Sequence, residues 1–288
     1  MSICRTAYYR KPVKLKHRDE AAISKLANVH LFNPCYGVRR FAIALNWSNE
    51  KARRIRNLAA ITAAKHSKQH RNKTTKAEIA APGNALTPYI EYVNPECPWD
   101  GASFNKMATS SGAWVQDFSY ICYRGQWVYL AVVAELLTRR ILGWEVGLRH
   151  TKELVHNALV SALSNNTAPP IIHDDQGGEY LSQLMQATYE RHNITLSCSK
   201  KNSPWQNGFC ESIFFTLKTE LGNINRFNTL EELYEAIAGI IYYYNHERIH
   251  TALKTSPVKY AKQLMIKTAE PLTLDQPERV YHREVRRH

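Results

Sequence analysis

Beyond residue 110, apolar positions follow patterns typical of strands. The segment "AWVQDFSYI" (113–121) alternates apolar and polar residues, "WVYLAVVAELL" (127–137) is an almost continuous apolar run, and "RRILGWEVGL" (139–148) is again β-like. Period-two alternation and short valine-rich runs are the usual signals of half-buried and fully buried strands. Because only short turns separate these segments, the pattern predicts a three-stranded meander.

The segments that follow alternate between helical and strand patterns. Helical spacing appears over 151–163 and 180–193, and short apolar strands appear over 169–175 and 194–198. Because strand–helix–strand connections make parallel neighbours, we expect these later strands to be parallel and to flank the meander. Two further helices, one in "KKNSPWQNGFCESIFFTLKTEL" (200–221) and one over 228–249, complete a mixed α/β core.

The N-terminal part shows only helical patterns. Helices are predicted in "RDEAAISKLANVHLF", "YGVRRFAIALN" and "SNEKARRIRNLAAITAA", and Ser48 is placed to cap the third. Three short helices with brief turns indicate a helix-turn-helix unit. In the third helix Arg53, Arg54 and Arg56 lie outside while Ile55, Leu58 and Ile61 face inward, as a recognition helix requires. A solvated basic face is the alternative.

The distribution of charge along the chain indicates that the protein binds a polyanion. Residues 1–84 hold 18 Lys and Arg against 4 Asp and Glu, a net charge of +14, whereas residues 85–288 hold 20 against 21, a net charge of −1. A strongly basic segment attracts nucleic acid through phosphate neutralisation. The basic and Pro/Gly-containing stretch after the helices is interpreted as a linker. The predicted domains are a basic helical unit (1–64), the linker (65–109), the mixed α/β core (110–265) and a C-terminal tail (266–288).

The cysteines and the N-terminus indicate the compartment. Six scattered cysteines without a CxxC pair argue against a disulfide framework or a compact zinc site, although Cys4, Cys35, His17 and His30 could in principle surround zinc. The charged N-terminus and the lack of an 18-residue apolar run predict neither secretion nor membrane insertion. We expect a cytoplasmic, nucleoid-associated protein with free thiols.

Three acids stand in or beside apolar segments of the core. Asp117 lies within the first predicted strand, Asp175 ends "IIHDD", and Glu211 starts a helix whose Ile213, Phe214, Leu217 and Leu221 form a packing face. Acids in such places are costly unless they are paired or bind a cation, and oxygen ligands suit Mg²⁺ or Mn²⁺. Taken singly, Asp117 could face solvent, Asp175 could form a turn, and Glu211 could favour the helix start.

The motifs "WVQDFSYI", "IIHDDQGGEY", "SPWQNGFCESIFFTLKTEL" and "YYYNHERIHTALKTSPVKY" resemble, in order and spacing, the catalytic core of bacterial insertion-sequence transposases of the OrfB type, which are relatives of retroviral integrases. Thirty-five residues separate Asp175 from Glu211, as in that family's DDE triad. The resemblance covers about residues 110–260, and "NPCYGVRRFAIALN" is similar to the helical domain that precedes this core.

The resemblance implies an α/β, RNase H-like mixed sheet with flanking helices, preceded by a small all-α helix-turn-helix-like domain. It further implies that Asp117, Asp175 and Glu211 bind two Mg²⁺ ions, with Mn²⁺ as a substitute. The implied activity is cleavage at transposon ends followed by strand transfer of the 3′-hydroxyl into target DNA. A nuclease without strand transfer and a domesticated, non-catalytic DNA-binding protein are the alternatives.

Two departures from the family pattern lie close to the triad. Asp174 stands where a Ser is usual, so that "HDD" offers two carboxylates, and Gln116 stands where a Thr is common. The assignment to Asp175 follows the thirty-five-residue separation and the "QGGEY" that comes after it. All three catalytic positions keep the expected residue types, which favours an active enzyme.

The remaining candidate residues are predicted to contact double-stranded DNA, which comprises the transposon ends and the target. Arg248 and His250 are interpreted as structural pins of the last core helix. The resemblance also predicts a homo-oligomer on DNA and a small separate helix-turn-helix partner protein. The DNA-binding candidates are Arg39, Arg40, Arg53, Arg54, Lys200, Lys201, Gln206, Asn207 and Lys218. For Gln206 and Asn207 the alternative is that they only form the turn before the helix, and for Lys218 it is a solvated side chain.

Overall fold

A five-stranded mixed sheet forms the centre of the predicted catalytic core. The structure, a computed structural model, describes residues 17–64, 80–86, 90–92, 102–104, 112–200 and 204–269. A short antiparallel pair precedes the sheet. The strands are β1 (Ile90–Tyr92), β2 (Ala102–Phe104), β3 (Trp114–Tyr123), β4 (Gln126–Glu135), β5 (Ile141–Gly147), β6 (Ile171–Asp174) and β7 (Thr195–Cys198).

The sheet has the order β5-β4-β3-β6-β7. Strands β3, β4 and β5 pair antiparallel, whereas β6 pairs parallel to β3 and β7 pairs parallel to β6. The predicted meander and the parallel strands beside it are therefore confirmed, and so is the mixed sheet expected for an RNase H-like fold.

Helices cover both faces of this sheet. The helices are α1 (His17–Phe32), α2 (Val38–Leu45), α3 (Asn49–Leu58), α4 (Lys152–Ser164), α5 (Gln183–Arg191), α6 (Gly208–Leu221), α7 (Leu230–His246) and α8 (Pro257–Ala269). Helices α4 and α5 pack on one face, over Trp114, Ala131 and Ile172. Helices α6 and α7 pack on the other face, over Val115 and Val132. The packing face predicted for α6 is confirmed, because Ile213, Phe214, Leu217 and Leu221 are all buried.

The N-terminal helices α1, α2 and α3 form an all-α unit with a small core of its own. Leu26, Phe41, Ala52 and Ile55 are buried together. The Ser48 hydroxyl accepts a hydrogen bond from the Lys51 amide at 3.1 Å, as the predicted cap requires. Such a cap satisfies an amide that the first turn of a helix would otherwise leave unpaired.

This helical unit rests directly on the core. The Ile249 amide donates to the Tyr36 hydroxyl at 2.9 Å, and Arg40 Nε donates to the Ile249 carbonyl at 3.0 Å. The Tyr243 hydroxyl donates to Asn33 Oδ1 at 2.6 Å. These hydrogen bonds join residues of the helical unit directly to residues of the core. The two parts therefore share a contact surface in addition to the linker that connects them.

Part of the segment predicted as linker also lies against the sheet. Leu86 is buried in the core beneath α6 and α7, and the Ala85 amide donates to Ser197 Oγ on β7 at 2.9 Å. Residues 65–79 of that segment and the tail beyond residue 269 lie outside the described residues. Among the helices of the described ranges, none combines the length and the apolar character that crossing a bilayer would need.

Candidate active site

Strand register brings two of the predicted acids to one place. In the parallel pair of β3 and β6, Val115 lies opposite His173. Continuing this register by two residues places Asp117 level with Asp175, which follows β6 directly. Asp117 shares the sheet face of Val115, the face covered by α6. Glu211 lies in the first turn of that helix, near enough to Asp117 for the charges of the two side chains to interact.

The electrostatics of Asp117 show that the three carboxylates interact. Burial raises the pKa of Asp117 well above its usual value, and the nearby charges of Asp175 and Glu211 raise it further. The pKa of Asp175 is also raised, first by desolvation of its carboxyl group and then by Glu179, although the residue as a whole is exposed. Neighbouring like charges favour protons or cations at such a site.

Hydrogen bonds orient two of the acids. Asn207 Nδ2 donates to Asp117 Oδ2 at 3.1 Å, and the Phe118 amide donates to Asp117 Oδ1 at 2.7 Å. The Gly177 amide donates to Asp175 Oδ1 at 3.0 Å. A Cβ atom at position 177 would lie 3.2 Å from both Asp175 Oδ1 and Glu179 Oε2, so glycine allows this tight turn.

Asp174 lies on the opposite face of the sheet from Asp117. It is completely buried, and Gln116, on the adjacent strand β3, donates from Nε2 to Asp174 Oδ2 at 3.3 Å. Desolvation raises the pKa of Asp174 to about 7, and the charge of Asp175 acts in the same direction. The Asp174 carboxylate thus faces away from Asp117 and Glu211.

The donor chemistry of the site fits divalent cations. Carboxylates supply hard oxygen ligands, and burial, followed by the charges of Asp175 and Glu211, raises the pKa of Asp117. In the described ranges no group of three or more His, Cys, Asp or Glu side chains is arranged so that it could hold a metal ion as it stands. Asp175 and Glu211 are exposed residues, so a cation can reach them from solvent.

The predicted DNA contacts around α6 have different environments. Lys218 lies beside the triad, where burial lowers its pKa and the charge of Asp117 opposes that shift. The oxygen of Gln206 accepts from the Lys200 amide at 2.7 Å and from Asn84 Nδ2 at 3.0 Å, so this oxygen is used inside the protein. The Lys200 side chain is exposed, and Lys201 lies outside the described residues.

The four predicted arginines of the helical unit separate into two pairs. Arg39 and Arg53 are exposed and line a groove together with Asn49 and Thr251. By contrast, Arg54 makes a bidentate pair with the buried Asp19, at 2.8 and 2.9 Å. Arg40 also borders the groove, but its Nε binds the Ile249 carbonyl.

Several groups near the triad were not predicted from the sequence as parts of the site. Glu179 is buried, and its Oε1 lies 2.9 Å from His150 Nδ1. Tyr180 is buried as well, and its pKa is raised by burial and by the charges of Asp117 and Asp175. The only signal for either was their place in "QGGEY", directly after Asp175.

Cysteines in the described ranges are free thiols, as predicted. Cys35, Cys122, Cys198 and Cys210 form no disulfides. Cys35 is buried, and its pKa is raised to about 12 by burial and by Glu220. A thiol of this kind is a poor zinc ligand. Cys4 and the side chain of His17, two of the other candidate ligands, lie outside the described residues.

Comparisons with known proteins show a family to which the chain is similar. Residues 109–204 and 192–257 match two family models, each described as integrase core domain. The transposase for insertion sequence element IS904 of Lactococcus lactis is 34% identical over 161 residues, which are 54% of this chain and 64% of that protein. The putative transposase InsK for insertion sequence element IS150 of Escherichia coli is 28% identical over 236 residues, which are 79% of this chain and 78% of that protein.

Solved structures of integrases also resemble the chain. The catalytic core domain of HTLV-2 integrase, solved in complex with magnesium, has a TM-score of 0.44 and 19% identity, and the match covers 52% of this chain and 95% of that one.

Proposed function

Because this chain belongs to the insertion-sequence transposases that carry an integrase core domain, we propose that it is a DDE polynucleotidyl transferase. The proposed activity is cleavage of DNA at transposon ends, followed by strand transfer of the freed 3′-hydroxyl into target DNA. The observation that supports this most directly is the shared electrostatic environment of Asp117, Asp175 and Glu211 at one edge of the sheet.

In the proposed mechanism Asp117, Asp175 and Glu211 would hold two Mg²⁺ ions, or Mn²⁺ in their place. When bound, such ions activate an attacking oxygen and stabilise the leaving oxygen of a phosphodiester. The protein's own part is positioning. Asp117 is fixed in β3 and by Asn207, Asp175 is held by the Gly177 amide, and Glu211 is carried by a helix with a buried face. Lys218 is placed beside Asp117, where it would contact a phosphate of the DNA end.

Carboxamide substitutions test the proposed triad. Asp117→Asn and Glu211→Gln keep the side-chain shape but remove a charge, so we expect each to lower cleavage and strand transfer more than about a hundredfold. DNA affinity and thermal stability should persist. Glu190→Gln, an exposed acid at the end of α5, is the matched control and should keep wild-type rates.

Products on a gel separate this proposal from the two alternatives. Nicking by the wild-type protein without any joined product would indicate a nuclease that lacks strand transfer. If neither carboxamide variant changes any measured property, and no divalent metal binds, the chain would instead be a non-catalytic DNA-binding protein.

We further propose that the groove of Arg39, Arg53, Asn49 and Thr251 receives the DNA backbone. It combines two exposed arginines with the first turns of α2, which has no side-chain cap, and of α3, and the positive end of a helix dipole favours anions. Each phosphate contact contributes roughly one unit to the slope of log affinity against log salt concentration. Arg53→Ala should therefore weaken binding to different DNA sequences by similar factors and reduce this slope by about 1.

Arg54→Ala is the matched control for Arg53→Ala, because the two residues are adjacent on α3. Arg54 is bound to Asp19, so its loss should lower the melting temperature while the salt slope stays unchanged. Equal salt slopes for wild type and Arg53→Ala would remove Arg53 from the DNA surface.

Assembly on DNA is also part of the proposal. The substrate would be double-stranded DNA, and synapsis of two transposon ends calls for a homo-oligomer, with a small helix-turn-helix partner protein and association with the nucleoid. Light scattering of the full chain with a duplex of one transposon end tests the oligomer. A complex with one chain per duplex at all concentrations would argue against it.

A further inference from the structure

A buried polar network lies directly behind the proposed metal ligands. Asp174 is completely buried, and its Oδ1 accepts hydrogen bonds from Cys198 Sγ at 3.0 Å and from the Gln176 amide at 3.2 Å. Its Oδ2 accepts from Gln116 Nε2 at 3.3 Å. Gln116 Nε2 also lies 2.5 Å from the Tyr189 hydroxyl on α5. A buried carboxylate is costly, and here three donors compensate it.

This network holds the backbone on both sides of Asp175. Asp174 precedes it in the chain, and its carbonyl accepts from the Ser199 amide at 2.9 Å. Gln176 follows it with φ at +70°, a left-handed conformation that is uncommon for a residue with a side chain. Gln176 Nε2 donates to the Ser199 carbonyl at 2.6 Å, and its amide binds Asp174 Oδ1. The turn that carries Asp175 is therefore fixed at each end.

We propose that Asp174 and Gln116 are positioning residues for Asp175, and that Asp174 is not itself a metal ligand. The proposal rests on the function proposed above. Asp174 faces α5 whereas Asp117 faces α6, so a cation held by Asp117 and Glu211 lies on the other side of the sheet from the Asp174 carboxylate. The hydrogen bond from Gln116 joins β3, which carries Asp117, to the turn that carries Asp175. It thereby fixes the two ligands relative to each other.

The test is an exchange of donor and acceptor in the full-length chain. Asp174→Asn places an amide group opposite Gln116 Nε2, so that two donors face each other. In the double variant Gln116→Glu/Asp174→Asn, the carboxylate is at position 116 and accepts from the amide at position 174. The Tyr189 hydroxyl can then donate to position 116, and Cys198 and the Gln176 amide keep an oxygen acceptor.

We expect Asp174→Asn to lower the cleavage rate about 10–100-fold and to raise the Mg²⁺ concentration needed for half the maximal rate, as loss of a group that orients a ligand typically does. DNA affinity should not change. The double variant should recover most of the rate and the metal response. The rise in melting temperature on adding Mn²⁺ provides a second measurement that does not depend on turnover, and it should be smaller for Asp174→Asn than for the wild type and the double variant.

Three results would overturn the positioning role. One is an Asp174→Asn variant with wild-type rate and metal response. Another is a folded double variant that stays as inactive as Asp174→Asn, which would indicate that Asp174 is a ligand. The third is a lower melting temperature of Asp174→Asn with an unchanged Mg²⁺ requirement, which would indicate a merely structural role. A wild-type protein that neither cleaves DNA nor binds Mn²⁺ would instead reject the proposed function.

Discussion

At the residue scale, Asn207 shows how one side-chain amide can orient a carboxylate of the proposed triad. It is the last residue before α6, its side chain is buried, and its Nδ2 donates to Asp117 Oδ2 across 90 positions of sequence. Asn207 Oδ1 is buried too and has no hydrogen-bond partner within the described residues. The side chain is thus directed at Asp117, where the sequence had suggested a DNA contact or a turn.

Asn207→Ala should impair chemistry more than DNA binding. The substitution removes a donor that orients Asp117, and groups that orient a ligand typically contribute about 10–100-fold to activity or metal affinity. We expect cleavage to fall by such a factor while the Kd for a transposon-end duplex stays within about twofold. Gel-shift titration together with single-turnover cleavage measures both quantities. A large rise in Kd with a normal rate at saturating DNA would restore the DNA-contact interpretation.

Some features of the site could be predicted from the sequence, and others could not. The thirty-five-residue separation between Asp175 and Glu211 follows from the motifs, and it identifies residues that the structure brings together. Gln116 and Asp174 were each noted as departures from the family pattern, but their hydrogen bond was not predicted. Pairwise contacts between distant segments depend on strand register and on side-chain direction, which a single sequence does not determine.

At the element scale, periodicity predicted the strands and helices because burial imposes it. Strand β4 is buried along nearly its whole length, as a continuous apolar run indicates for a central strand. The close approach of α4 to β5 was not predicted. A Cβ atom at Gly143 would lie 2.2 Å from the Ala158 carbonyl oxygen and 2.5 Å from the Ala162 amide nitrogen. Backbone-to-backbone distances of this kind leave no periodic signal in the sequence.

Gly143→Ala should therefore destabilise the core strongly. The new methyl group meets helix backbone rather than a flexible side chain, so α4 must move away from β5, and overpacking of this kind costs about 1–3 kcal/mol or more. Gly239→Ala is the matched control, because Gly239 is an exposed position within α7 with no atom near its added Cβ. It should stabilise the protein by about 0.5–1 kcal/mol. Urea unfolding of the three proteins measures both effects, and an unchanged midpoint for Gly143→Ala would contradict this packing.

At the scale of the whole molecule, the helical unit and the catalytic core meet at a cluster of basic groups. Arg248 Nε donates to Glu220 Oε1 at 2.7 Å, and both side chains are almost completely buried. Glu220 lies near the end of α6, the helix that carries Glu211 at its start. Arg248 was predicted to pin the last core helix, and this ion pair confirms that role. His250 lies nearby, and its pKa is lowered to about 4 by burial and by the charges of Arg139, Arg248 and Arg40.

The lowered pKa of His250 makes the junction sensitive to acid. The unfolded chain binds a proton at this histidine near pH 6.5, whereas the folded protein resists protonation down to about pH 4, so stability present above pH 6.5 is lost as the pH falls through this window. Between pH 7.5 and 5.5 the loss from this one group is about 1 kcal/mol. The side chain in His250→Gln stays neutral at both pH values. Between pH 7.5 and 5.5 the free energy of unfolding of this variant, measured with urea, should therefore fall by about 1 kcal/mol less than that of the wild type. His192→Gln, an exposed histidine after α5, should behave like the wild type. If the free energy of unfolding depends on pH equally in the wild type and His250→Gln, the arginines around His250 do not suppress its protonation. Arg40, which belongs to the helical unit, would then lie farther from His250 than the structure shows.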